Sequence, residues 1–304
     1  MNFEPLTPAD FQRLNPFFKH QPYRLCAYSL PSIIVWKNEE YQPYAMVRDK
    51  ALIISTEFTH HRENRHLLLP VAPAIEYSPE ALHDLALSVG HERYWFVPED
   101  YTQRFGEKRF KPLFIIEPHP DYDDYVYHRT ELVDLSGNKY SKKRNLIKQF
   151  HREYVDSNRV QVEPATATEA EECAEFIEAW CEERQCDADG QIDLACEKQA
   201  TLNTIWHMNE LEVNGLLLRI DGTVCAFGIG SYLTDDMGVL HFEKAFSRVK
   251  GLYQYFDNQC ARRLFQGYRY INKESDMGEV NLAKAKKSYH PAMMIPSYKL
   301  TLRE

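Results

Sequence analysis

The 304-residue sequence predicts an α/β (α+β) protein of two tandem modules, each a mixed, mainly antiparallel sheet flanked by helices. Three observations carry that expectation. The length sits near the upper limit for one hydrophobic core, which favours two domains. Short apolar runs divided by polar turns recur in both halves, with helical stripes between them. A polar, tyrosine-rich stretch, HPDYDDYVYHRTEL at 119–132, marks a junction, so the modules are set at 1–125 and 126–304. An apolar fraction of 44%, with 19 Tyr and 16 Phe, supplies packed cores and argues against disorder. No repeat is evident in the letters.

At the start, Thr7 as N-cap, Pro8 at the first helical position and Asp10 in the first turn open a short helix. RLCAYSLPSIIVWK (24–37), PYAMVR (43–48), ALIIST (51–56) and HLLLPV (66–71) read as strands. SPEALHDLALSVG (78–90) is a helix capped by Ser78, with a stripe of Leu82, Leu85, Ala86 and Val89. YWFVP (94–98) and PLFIIEP (112–118) are two further strands.

The second module opens on KYSKKRNLIKQFHREY (139–154). Leu146, Ile147, Phe150 and Tyr154 share one face, which predicts an amphipathic helix with its basic side outward. VQVEPA (160–165) is a strand, and 168–185 a helix with a Thr168/Glu171 capping box. A second helix spans about 191–209. Three strands follow (215–222, 223–233, 238–246), the first two joined at Asp221-Gly222. A helix (252–268), a short strand, a last helix and the closing strand MMIPSYKLTL complete the chain. This order resembles that of acyltransferases of the GNAT type, where an acyl carrier enters a splayed sheet beside the helix that follows the central strands.

Charge sharpens the picture. The chain has 36 Lys+Arg against 45 Asp+Glu, yet 139–152 holds four lysines, two arginines and a histidine without an acid. A net charge of −9 argues against coating nucleic acid, DNA included, but allows a local basic groove. The N-terminus lacks a basic region followed by an apolar run, so it does not read as a signal peptide. The longest apolar run, LLLPVAPAI at 68–76, is far short of the roughly 20 residues that span a bilayer. A cytoplasmic protein without a transmembrane segment is expected. Seven cysteines without a CxxC pair read as reduced thiols. His60, His61 and His66 lack metal-ligand spacing, so no metal is expected. The chain has neither a G-x-S-x-G elbow nor a P-loop.

Two stretches carry candidate chemistry. In FSRVKGLYQYF (246–256), Arg248 and Lys250 precede Gly251 at the start of a helix, a place suited to phosphate. Arg248-x-x-Gly251-x-Tyr253 follows the GNAT pyrophosphate pattern until Tyr253 replaces a small residue, with Gln254 beside it. In YINKESDMGEVNLAKAKKSYHP (270–291), Asn272, Glu274 and Asp276 recur at spacing two, so an extended segment would point all three one way, to hold a substrate ammonium; a polar turn before the last helix is the equal alternative. Alternation along 238–246 sets Val239, His241, Glu243 and Ala245 on one face, and an acid among apolar neighbours invites a raised pKa.

KYSKKRN, FEKAF with GLYQYF, and INKESDMG-x-x-x-L-x-x-AK-x-SYHP together resemble the phosphatidylglycerol lysyltransferase C-terminal domain family over most of 120–300. That family is similar to the Fem-type transferases, two GNAT-like modules in tandem. The resemblance implies an enzyme that moves an aminoacyl group from aminoacyl-tRNA to an amine or hydroxyl on a small-molecule, lipid or peptide acceptor. It implies no tightly bound cofactor, with aminoacyl-tRNA or acyl-CoA as co-substrate. Lys139, Lys142, Lys143, Arg144, Asn145 and Lys148 would then meet a tRNA acceptor end. Glu243 would act as base, Lys286 would contact an anion or oxyanion, and Tyr289 would donate a hydrogen bond. Two other readings stand beside it: an acyl-CoA-dependent GNAT N-acyltransferase, and a non-catalytic module binding RNA or a phosphorylated ligand.

Overall fold

Polar dipeptides in the left-handed conformation fold the apolar runs back on themselves. Asp49 and Lys50 (φ 51° and 66°) join β2 (Tyr41–Arg48) to β3 (Ala51–Phe58). Asp221 and Gly222 (φ 51° and 84°) join β9 (Asn214–Ile220) to β10 (Thr223–Thr234). Two consecutive positive φ values match the right-handed strand twist and so close tight hairpins. In the computed structural model, which describes residues 2–73, 75–185 and 192–303, the strands form two seven-stranded sheets.

The first sheet contains β1 (Glu4–Pro5), β2, β3, β4 (His66–Leu67), β5 (Arg93–Pro98), β14 (Ser297–Leu302) and β6 (Phe114–Pro118), in that order. The second runs β13 (Met293–Ile295), β7 (Asp124–His128), β12 (Tyr270–Asn272), β11 (Met237–Ala245), β10, β9 and β8 (Val160–Ala165). Read from opposite ends, the two are the same plan. Four antiparallel strands lead to one parallel pair, β4/β5 or β11/β12, and two antiparallel strands complete the edge. A repeat invisible in the letters is therefore plain in the topology.

Each half also lends a strand to the other. β14, from the end of the chain, inserts between β5 and β6, and β7 inserts between β12 and β13. The 119–132 junction holds β7 and the helix Arg129–Asp134, and position 125/126 falls inside that lent strand. The closing run divides at Pro296 into β13 and β14, in different sheets. One buried cluster continues from Leu6, Ile53 and Tyr94 through Val126 to Trp180, Val239 and Phe242. It fills the space between the first sheet and one face of the second. A second cluster, including Tyr127, Phe150, Leu240, Leu252 and Phe256, packs the other face.

Several local expectations change. The 24–37 run is not a strand; Ser29 precedes the helix Leu30–Val35, with Pro31 in its first turn. All six residues of that helix are buried, so no helical stripe distinguishes it from a β-rich run. The capping box of helix Ala170–Arg184 is Thr166/Glu169, two residues earlier than expected. The helix expected at 191–209 is Ile192–Trp206; Gln191 and Cys186 lie outside the described residues. Among the described residues, Cys26, Cys173, Cys225 and Cys260 are in no disulfide.

Candidate active site at the fork of the second sheet

β11 and β12 pair in parallel only at Met237–Tyr270, Gly238–Ile271 and Val239–Asn272. β12 then stops while β11 runs on to Ala245, so the sheet opens into a fork. At the same point β11 is irregular. Its ladder to β10 steps from Leu240–Gly230 to Phe242–Ile229, leaving His241 as an extra residue. Such a bulge shifts every later side chain to the other face. The simple alternation expected here therefore fails. Leu240, Glu243 and Ala245 face the second core cluster, while Val239, Phe242 and Phe246 join the first.

Glu243 thus enters the helix side of the fork, where charges meet under cover. Lys273 Nζ donates to Asp257 and lies 3.4 Å from Glu243 Oε2. Asp257 is 3% exposed, on the buried face of helix Leu252–Arg263. The Tyr289 phenol hydrogen-bonds Asp257, and its ring faces Lys143 Nζ at 3.8 Å and Lys273 Nζ at 5.2 Å. Burial and then the Asp257 carboxylate raise the Glu243 pKa, against the pull of Lys273. Burial alone would lower Lys273, but Asp257 and Glu243 outweigh it and keep the lysine protonated. Burial lowers Lys143. Two acids share one firmly held cation, so a proton on Glu243 neutralises the group.

Lys286 performs a different task from the expected oxyanion contact. Its Nζ donates to the carbonyls of Lys273 (2.6 Å), Glu274 (3.2 Å) and Ser275 (2.5 Å), which uses all three N–H groups. It straps the last helix, Val280–Lys287, to the segment carrying Lys273. Nor do Asn272, Glu274 and Asp276 point one way. Glu274 has φ 60°, which breaks the extended run. Asn272 is fully buried and holds Arg24 O (3.0 Å), Asp124 (2.7 Å) and the Glu274 N–H (2.7 Å). Asp276 accepts from Tyr125 and from the Gly278 N–H at 3.0 Å, forming a turn. Glu274 faces His241, Nδ1 to Oε1 at 2.9 Å, on the side of the first module.

The glycine loop is organised by packing. Gly251 (φ 82°) precedes helix Leu252–Arg263, and a Cβ there would stand 2.3 Å from the Leu146 carbonyl. Glycine is required because the basic helix, Ser141–Phe150, crosses it in contact. Arg248 pairs with Glu183 instead of standing free. Tyr253 and Gln254 are half-buried, and Trp180 Nε1 donates to the Tyr253 hydroxyl at 3.4 Å.

The basic run divides by face. Lys139 pairs with Glu131 at 2.8 Å. Arg144 caps Leu135 and Gly137 carbonyls, which removes it from phosphate binding in this arrangement. Lys143 turns inward, while Lys142, Asn145, Lys148 and Arg152 are exposed. Asn145, Lys148, Gln149, His151, Arg152 and Asp156 line a surface hollow of about 580 Å³ beside a π-helical turn at His151–Val155. Elsewhere, His60 and His61 pair with Glu40 and Glu63, and His66 stacks on Trp95, so the three histidines do not converge. Among the described residues no helix is long and apolar enough to cross a membrane.

The fork therefore unites Glu243, Lys143 and Tyr289 but leaves Arg248 and Gly251 in packing roles. Sequence reasoning missed Lys273, Asp257 and His241. Lys273 sat unremarked between two chosen neighbours, and Asp257 was detectable as an acid beside Phe256 on a packed helix face. The His241 signal is the bulge, which letters do not show.

Comparison with known proteins fits this architecture. The family model for the phosphatidylglycerol lysyltransferase C-terminal region matches residues 22–301. A conserved protein of unknown function from Bacteroides thetaiotaomicron is 26% identical, with a TM-score of 0.88 over 100% of both chains. The C-terminal domain of a proposed lysylphosphatidylglycerol synthetase from Agrobacterium fabrum shares the fold at 12% identity, with a TM-score of 0.65 over 97% of this chain and 92% of that one. An uncharacterised protein of Mycoplasmoides gallisepticum is 21% identical over 180 residues, 59% of this chain and 56% of that protein. The chain thus spans little more than half the length of that relative. The two sheets are mixed and mainly antiparallel, and the chain belongs to the phosphatidylglycerol lysyltransferase C-terminal family.

Proposed function

We propose that the second-sheet fork transfers an aminoacyl group from aminoacyl-tRNA to an amine or hydroxyl acceptor, a lipid head group being the acceptor the family favours. The observation that carries this reading is the buried Glu243–Lys273–Asp257 cluster at a bulged, diverging strand pair. Transfer from an ester needs a proton for the departing oxygen and a site shielded from water. Glu243 binds a proton more firmly than an ordinary carboxyl, which suits it to donate that proton rather than to act as the base expected from sequence. Lys273, Tyr289 and Lys286 hold the fork in shape.

An acyl-CoA donor is the second reading. The helix start that would cradle its pyrophosphate is covered by the Leu146 carbonyl, and Arg248 is already paired. The exposed cations Lys142 and Lys148, on the outer side of the basic helix, and Arg152 just beyond it suit a polyanionic carrier better.

The test is donor consumption. A mixed pool of charged tRNAs, then acyl-CoAs, is incubated with wild type and Glu243→Gln. Wild type is expected to deacylate charged tRNA, and the variant to be slower by about 100-fold or more. Consumption of acyl-CoA alone selects the second reading. RNA retention with neither donor consumed leaves a binding module.

A further inference from the structure

On the opposite side of the fork from Glu243, a chain of polar groups runs out of contact with water. Glu274 Oε1 meets His241 Nδ1 at 2.9 Å, and His241 Nε2 meets Ser231 Oγ at 2.7 Å. Ser29 Oγ, supplied by the first module, lies 3.2 Å from Ser231 Oγ and 3.3 Å from His241 Nε2. His241 is 7% exposed, Ser231 5% and Ser29 1%, whereas the Glu274 side chain keeps 17% of its surface. The solvent-facing end of the chain is thus the carboxylate.

Three independent features single this chain out. It is built on the extra residue of the β11 bulge, so the ladder is interrupted to place the imidazole. Glu274 holds a left-handed φ of 60°, the turn that the first module makes at Phe96, and here it carries a carboxylate to His241. Asn272 and Lys286 fix that backbone by gripping the Glu274 N–H and carbonyl. A carboxylate hydrogen-bonded to an imidazole can hold one extra proton between the two groups, which is what a general base at the solvent-facing end requires.

We infer that Glu274 is the catalytic base of the acceptor half-reaction, with His241 and Ser231 as positioning residues behind it. The inference rests on the transfer reading above. There, Glu243 supplies the proton of the leaving oxygen, and the nucleophile's own proton has no acceptor. In the step so assigned, the acceptor nitrogen or oxygen bonds to the acyl carbon and its proton passes to Glu274. The ester C–O bond breaks, its electron pair stays on the carrier's ribose oxygen, and that oxygen takes the Glu243 proton. The proton on Glu274 is shared with His241 and returns to solvent, while Glu243 is reprotonated. Besides His241, the titratable groups facing Glu274 are Asp124, Cys26 and Lys286.

The experiment uses the full chain, charged tRNA as donor, and two kinds of acceptor. Ethanolamine and phosphatidylglycerol vesicles need a base; hydroxylamine, uncharged at neutral pH and strongly nucleophilic, needs little help. Glu274→Gln should lose about 100-fold or more in kcat with the first kind and less than about 10-fold with hydroxylamine. The donor KM should stay unchanged. His241→Gln should move the acid limb of the pH–kcat/KM profile, Ser231→Ala should move it less, and Glu274→Asp should recover part of the rate. Equal losses with both acceptors, or no loss, overturn the inference and leave the chain a structural strut. Wild type that turns over hydroxylamine but neither of the others overturns it as well. Wild type that consumes no charged tRNA sinks the parent reading first.

Discussion

The two forks occupy equivalent places in the repeated sheets and are filled in opposite ways. In the first, β4 and β5 pair only at Leu67–Tyr94, and the gap beyond is closed by the Tyr28 phenol, which accepts from Leu69 N (3.2 Å) and donates to Phe96 O (3.1 Å). In the second, the gap holds Glu243, Asp257, Lys273 and Tyr289. The equivalence reaches single residues. Tyr94 and Asn272 end the two parallel ladders, and two residues later Phe96 (φ 56°) and Glu274 (φ 60°) both turn left-handed. Between them stand Trp95 and Lys273. Where the first module puts three aromatic residues, the second puts an amide, an ammonium and a carboxylate. A buried ion cluster adds little net stability over well-packed apolar side chains. Since the first fork shows that the fold closes without one, packing does not by itself call for the charges of the second, and the transfer proposed above is a reading that does.

The strand exchange makes the halves inseparable, and breaking it gives the largest effect. Ending the chain at Pro296 removes β14 from between β5 and β6, which opens two ladders in the first sheet and exposes the Leu300 side of its core. Residues 1–296 should lose cooperative unfolding throughout, followed by circular dichroism against urea. A truncated chain whose second sheet melts with the wild-type midpoint would break the claim that the halves fold together.

Next in size is Lys273→Met. It strands Asp257 and Glu243 in a buried site, and removing one partner from such a cluster costs about 3–5 kcal/mol. The deficit should shrink as pH falls and Glu243 takes up a proton. A cost below about 1 kcal/mol at pH 7 would mean that water reaches the fork freely.

Titration separates the halves as well. His66, His91 and His119 all belong to the first module, and burial lowers them to about 3, 4 and 4. Below the ordinary histidine value near 6.5 the unfolded chain takes protons that the folded one refuses, so stability falls with pH, by up to about 1.4 kcal/mol per unit for each histidine. Asp124 in the second sheet works the other way. Burial raises it to about 6, so between roughly pH 6 and 4 the folded chain takes a proton that the unfolded one does not, which adds stability. Glu243, raised to about 7 by burial, acts in the same sense as Asp124, so three groups against two predict a net loss from pH 7 to 5 in the urea midpoint, reduced by His66→Phe and increased by Asp124→Asn.

How far the sequence could be read depends on which interactions are local. Turns, caps and stripes depend on neighbours in the chain, and Asp221-Gly222, Ser78 and the Ile147/Phe150/Tyr154 part of the expected stripe lie where local rules put them. Ser29 to Val35 was misread because a helix buried all round shows no period. The strand exchange and the His241 bulge depend on partners 100 residues or more away or on ladder register, and no window of letters contains them. The raised pKa expected of Glu243, as an acid among apolar residues, is present, although the face assigned to His241 beside it was wrong. Gly251 was found by a motif whose glycine has another cause, the Leu146 contact.

The smallest effect isolates the first fork from the second. Tyr28→Phe keeps the ring, which is 1% exposed, and deletes only the hydroxyl between Leu69 N and Phe96 O. A backbone N–H and a carbonyl then stay buried without that partner, at a cost of about 1–3 kcal/mol. Transfer should be untouched at temperatures where the variant is folded, because the hydroxyl lies in the other sheet. Set beside Glu243→Gln, the pair forms a crossed control. Glu243→Gln replaces a carboxyl that holds a proton with an amide of the same shape, so that variant should fold about as well as wild type while losing transfer. If Tyr28→Phe abolished transfer without loss of stability, the first fork would have to be counted as part of the reacting site, and the division of labour between the two sheets would fail.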